Sequence, residues 1–193
     1  GVMNGDGTLN QLALFNKDFV GYILTTLGDS QLFTNLLSII GNIAINYMDA
    51  IEVLDKNKID LTSVSWSGEL KNIKDIYSCL YDSGLITSLT DGTSTFGLPV
   101  EPGEERNALR NAFSFIDNSD FLKNIVPALV HNYASKTDEE GNPTGLGVYL
   151  TSKWDDYKTI KWGEELCIIY DFVTGLYDVA GINMNDMLFS PKS

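Results

Sequence analysis

The sequence predicts an all-α fold: two tandem three-helix repeats, about six helices packed together with long loops. Three observations carry that expectation. Residues 64–86 (VSWSGELKNIKDIYSCLYDSGLI) return 96 positions later as residues 160–182 (IKWGEELCIIYDFVTGLYDVAGI), with nine identities in 23 ungapped positions. Apolar residues recur at three- and four-residue steps through most of the chain, the period of a helix with one buried face. Asp117-Asn118-Ser119 answers Gly28-Asp29-Ser30, so the order of helix and turn before the doubled stretch is repeated too.

Taken in order, residues 1–9 form an N-terminal turn segment. Its N-G-D-G-T-L-N run matches the middle of a calcium loop, with Asn4 and Asp6 as ligands, Gly7 at the turn and Leu9 as apolar anchor. The first and last ligand positions fall on Val2 and Ala13, which carry no carboxylate, so a polar turn is expected and no metal. The first repeat spans 10–86. A helix over 10–27 carries Leu14, Phe15, Phe19, Ile23 and Leu27 on one face. A second over 31–54 is apolar over more than half its circumference and is expected to be the most buried element of this half. A third begins at Trp66 after Ser65 as N-cap and ends at Tyr81-Asp82-Ser83-Gly84, where Gly84 supplies the left-handed residue.

Residues 87–103, rich in Thr, Ser, Gly and Pro, read as a linker loop. The second repeat, 104–193, follows the same plan. Helices are expected over 104–116 and 120–135, the latter kinked or divided by Pro127. The offset between the halves grows from 89 to 96 before Trp162, so seven residues are inserted within 136–161. That loop holds the turn Glu139-Glu140-Gly141-Asn142-Pro143 and a possible short strand, Val148-Tyr149-Leu150-Thr151. One helical turn more is expected over 184–189. The two repeats are expected to make one compact domain, because a single unit has little interior for its long apolar helix.

Twenty-six acidic against 13 basic residues give a net charge of −13, which disfavours nucleic acid and anionic membrane surfaces as partners. No apolar run is long enough for membrane insertion. The chain starts at Gly1, as expected of a piece excised from a longer protein. Two cysteines, Cys79 and Cys167, fall at non-equivalent places of the repeat and are expected as free, buried thiols. Low cysteine use fits the cytoplasm and equally a bacterial cell surface without disulfides.

Little here points to chemistry. His131 is the single histidine, so a His-rich zinc site is excluded, and its place near a helix end suits interaction with C-terminal carbonyls. The acids kept in both copies, Glu69/Glu165, Asp75/Asp171 and Asp82/Asp178, could meet as a catalytic pair. First-turn positions for the glutamates and helix-end positions for Asp82 and Asp178 explain them more simply. Trp66, Trp162, Tyr81 and Tyr177 read as core anchors rather than a sugar platform. Trp154, with Asp155 and Asp156 beside it on the long loop, has no counterpart and is the best candidate contact surface. No catalytic residues, metal ligands or cofactors are assigned.

The run I-D-L-T-S-V-S-W-S-G-E-L-K-N-I, residues 59–73, is similar to the W-x-x-E-L signature of helical modules repeated in large uncharacterised surface proteins of Gram-positive bacteria. The resemblance implies no catalytic residues. It implies one link of an extracellular or cell-surface array, flanked by further modules, with the N-G-D-G beginning at a module boundary. The function expected first is a non-enzymatic structural or interaction module. A carbohydrate-binding or carbohydrate-active module, with a cell-surface glycan as partner, and a helical scaffold for a protein partner are the alternatives.

Overall fold

The computed structural model describes residues 3–8, 10–86, 97–148 and 154–188. It is all-α, with six helices of at least 12 residues among the described residues. The first half begins with a single turn, α1 (Gln11–Leu14), then α2 (Lys17–Gly28), α3 (Gln31–Ala50) and α4 (Trp66–Asp82). The continuous helix expected over 10–27 is broken at residues 15–16. Asn16 takes an extended conformation and its side chain accepts the Asp18 N–H, starting a new helix. The Tyr77 hydroxyl donates to the Phe15 carbonyl at 2.5 Å, which fixes the break against α4.

Ser65 caps α4 as its sequence position predicts, accepting from Gly68 N–H, and Ser30 caps α3, accepting from Phe33 N–H. α3 stops at Ala50, four residues short of the expected end, because Glu52 takes φ +62° and the Val53 N–H turns back to the Met48 carbonyl. The Asn132 side chain donates to the Glu52 carbonyl at 3.0 Å and holds this otherwise costly conformation. α4 ends before Gly84, which has φ +89°.

The second half contains α5 (Glu104–Phe115), α6 (Asp120–Ala134), α7 (Trp154–Thr159), α8 (Trp162–Ala180) and the short α9 (Asn185–Leu188). A 3-10 turn, Ile116–Asn118, joins α5 to α6, and Ser119 caps α6 through Leu122 N–H at 3.1 Å. α6 runs undivided through Pro127, which is buried. α8 lacks a cap of its own, since Lys161 stands where α4 has Ser65. Asp117 supplies it across the fold, accepting from Gly163 and Glu164 N–H at 2.8 and 2.9 Å. α8 closes on Gly181 at φ +66°. The turn in the 136–161 loop is held by an isolated bridge between Thr137 and Pro143 and by Asp138 accepting from Glu140 and Asn142 N–H. Of the strand expected from Val148, that residue ends a 3-10 turn, Gly145–Val148, and the other three lie outside the described residues.

Four helices pack in a row, α2 on α4, α4 on α5 and α5 on α8. α3 lies against α2 and α4. A core cluster joins the halves: Ile45 and Met48 of α3, residues 54–64 after it, and Phe121, Ile125 and Ala128 of α6. Trp66 is its hinge, packed on Phe121 with ring centroids 5.6 Å apart and so close to Gly41 that a Cβ there would lie 2.8 Å from the indole. The expectation that α3 is the most buried element is wrong. Only Gly41 and Ile45 of α3 are buried, while Leu32, Leu36, Ile39, Ile40, Ile43 and Tyr47 are exposed. Its apolar surface is wider than the contacts with α2, α4 and the core cluster can cover.

Candidate functional site

The most organised polar site lies where the halves meet. Glu69, in the first turn of α4, extends to the start of α6 rather than along its own helix. Its Oε2 accepts from the Ser119 hydroxyl at 2.6 Å and its Oε1 from the Asp120 N–H at 2.8 Å. Glu69 is 9% exposed and Ser119 2%, so this is a charge-assisted capping contact shielded from solvent. Ser119 thus serves twice, accepting from Leu122 within α6 and donating to Glu69. The same interface carries Asn72 Nδ2 donating to the Phe115 carbonyl at 3.4 Å and Cys79 Sγ 3.9 Å from the Ala108 carbonyl.

The structure brings none of the doubled acids together as a pair. Asp82 pairs with Lys17 at 2.5 Å, and Asp178 with Arg106 at 2.6 Å. Those cations sit 89 residues apart, so the two contacts join equivalent positions of α2 to α4 and of α5 to α8. Each of these helix-end aspartates is used in a pairing between helices. Arg110 also grips Asp171 through both carboxylate oxygens, at 2.7 and 2.9 Å. These guanidinium hydrogen bonds hold the carboxyls of Asp171 and Asp178 below the usual range. Asp75, equivalent to Asp171, is exposed and has no ion-pair partner among the described residues; Gly21 stands where Arg110 would be. Glu165 is exposed, and its carboxylate has no hydrogen-bond partner among the described residues.

Trp154 is half-buried at the start of α7, packed on the core cluster. The Lys58 ammonium lies 5.1 Å from its ring centroid and His131 meets it edge-on at 5.4 Å. Asp155 and Asp156 beside it are exposed in the first turn of α7. His131 also meets Tyr157 edge-on and has Nε2 3.3 Å from Ser135 Oγ, so its surroundings are aromatic. Trp66 and Trp162 are half-buried as well. Cys79 and Cys167 are free thiols, and burial pushes the Cys167 thiol up, away from reactive thiolate. In the N-terminal turn Asp6 Oδ1 accepts from both the N–H and the hydroxyl of Thr8, and Asn4 donates to Thr8, a closed set of local bonds. Among the described residues no three His, Cys, Asp or Glu side chains are grouped to hold a metal ion. No helix described is long and apolar enough to cross a membrane.

Comparison with protein-family models, with curated proteins and with solved structures finds no match to this chain. The site has to be read from its own geometry. Two helices carry rows of exposed large apolar side chains. One stripe runs down α3, and another down α8 through Ile168, Phe172 and Val179. The sequence led to the expectation that the α3 stripe is core, since periodicity reports an apolar face without saying whether this chain covers it. The growth of the offset between halves carried no signal for the Glu69 contact either; that needed the position of α6.

Proposed function

We propose that the chain is a non-enzymatic structural and interaction module of an extracellular bacterial surface protein, built from two three-helix repeats and set in an array of such units. The single observation that carries this reading is the pair of apolar stripes on α3 and α8. They lie on helices whose first turns are capped, α3 by Ser30 and α8 by Asp117. Large contiguous apolar patches on a soluble domain mark places where another macromolecule binds. The ion pairs Lys17–Asp82 and Arg106–Asp178 support the repeat reading, because each fixes the same helix register in its own half.

The test is a substitution of each stripe. Leu36→Glu on α3 and Phe172→Glu on α8 are expected to leave unfolding free energy within about 0.5 kcal/mol of wild type, as exposed positions do. Loss of cooperative unfolding in both would place these faces inside the chain's own core and contradict the reading. Surface labelling of intact cells with an antibody to the 138–143 turn checks the location, and labelling only after lysis would contradict it.

A further inference from the structure

The geometry points to self-assembly: a second copy of this chain docks head to tail, the α8 stripe of one copy lying on α2 of the next as α4 lies on α5, and the start of α3 with its apolar stripe meeting Glu165 and Trp162, which repeats the junction already present at Glu69. This deepens the interaction-module reading and rests on it. The argument compares each side of the internal junction with its counterpart at the free ends.

On the α6 side, Ile125 and Ala128 are 5% and 1% exposed because the first half covers them. Ser30 and Ser119 cap α3 and α6 alike, and carrying that alignment along the helices places Leu36 and Ile39 at the same positions of α3. They are 47% and 57% exposed. Leu32, the counterpart of the Phe121 that packs on Trp66, is 82% exposed. The α3 stripe is therefore the α6 docking face with nothing in front of it.

The α4 side gives the same result. Asn72 and Cys79, which reach α5, correspond to Ile168 and Gly175 of α8, and half-buried Ile76 corresponds to Phe172, 64% exposed. Val64 is buried in the junction, whereas its counterpart Ile160 is exposed. Ile73 and Ile169, by contrast, are exposed in both halves and lie outside the interface.

The polar contact is duplicated as well. Glu165 is the counterpart of Glu69 and is exposed at the free face of α8. Ser30 accepts from Phe33 N–H just as Ser119 accepts from Leu122, which leaves its hydroxyl hydrogen to donate outward. In the assembly Glu165 of one copy accepts from the Ser30 hydroxyl and Gln31 N–H of the next, and Trp162 receives Leu32 as Trp66 receives Phe121. Such an interface uses different surfaces on the two copies, so it grows into open chains rather than closing as a dimer.

Sedimentation velocity across a concentration series at physiological salt tests this with Leu36→Glu and Phe172→Glu. Wild type is expected to pass beyond two copies as concentration rises. Each variant alone is expected to stop at the monomer. An equal mixture is expected to form a 1:1 pair, because Phe172→Glu keeps an intact α3 face and Leu36→Glu an intact α8 face. A wild-type monomer at all concentrations overturns the proposal. So does a closed dimer that either variant retains, or a mixture that stays monomeric. If the variants keep their thermal midpoints but no assembly occurs, only the second-copy docking fails; if they unfold, the interaction-module reading fails with it.

Discussion

Glu69 shows how a conserved-looking position within one chain can carry two different jobs. Its carboxylate accepts two donors at the start of α6, the buried Ser119 hydroxyl and the Asp120 N–H. Truncation leaves both unpaired, so Glu69→Ala is expected to lower unfolding free energy by about 1–3 kcal/mol in urea titrations. Tyr170 gives a second residue-scale prediction. Its ring is buried against Phe113, its hydroxyl donates to the Pro99 carbonyl, and burial pushes the phenol up to about 12. The unfolded phenol titrates near about 10. A raised folded pKa means that the contribution is complete below about pH 10 and lost as pH rises toward 12. Tyr170→Phe is expected to remove that part of the alkaline fall in thermal midpoint. At the acid end, Asp171 and Asp178 have lowered carboxyls, so their contribution is present above about pH 4 and is lost as pH falls below it. Their exposure makes this term small.

At the scale of elements, most helices were legible because capping and periodicity are local. Ser65 starts and Gly84 follows the helix that their positions announce, and Ser30, Ser119 and Gly181 play the same parts at other helix ends. The departures all come from contacts distant in sequence. Tyr77 holds the break before α2, Asn132 holds the end of α3, and Asp117 provides a cap that α8 cannot make for itself. Asp117→Ala is therefore expected to destabilise by about 1 kcal/mol and to raise amide exchange in the first turn of α8 before it does so in α4, whose cap is Ser65. The partners of the doubled acids were not legible for the same reason. Asp82 and Asp178 keep an equivalent contact whereas Asp75 and Asp171 do not, and only the packing of α2 on α4 and α5 on α8 identifies Lys17 and Arg106 as the other half.

At the scale of the whole molecule, an amphipathic pattern says which faces want cover, and the fold says which of them get it. α4 and α5 lie inside the row and are covered on both sides, whereas α3 and α8 keep apolar faces that the chain itself leaves open. The net charge of −13 opposes contact between copies, so association is expected to strengthen with added salt before hydrophobic contact saturates. Glu69 and Glu165 separate the two roles of this junction. Glu69 acts inside one chain, and Glu165 stands at its exposed end. The most direct test is the self-association constant of Glu165→Ala measured beside its thermal midpoint. Repetition of the Glu69 contact between copies predicts association weaker by about tenfold with the midpoint unchanged. Association equal to wild type, with the same midpoint, would contradict it.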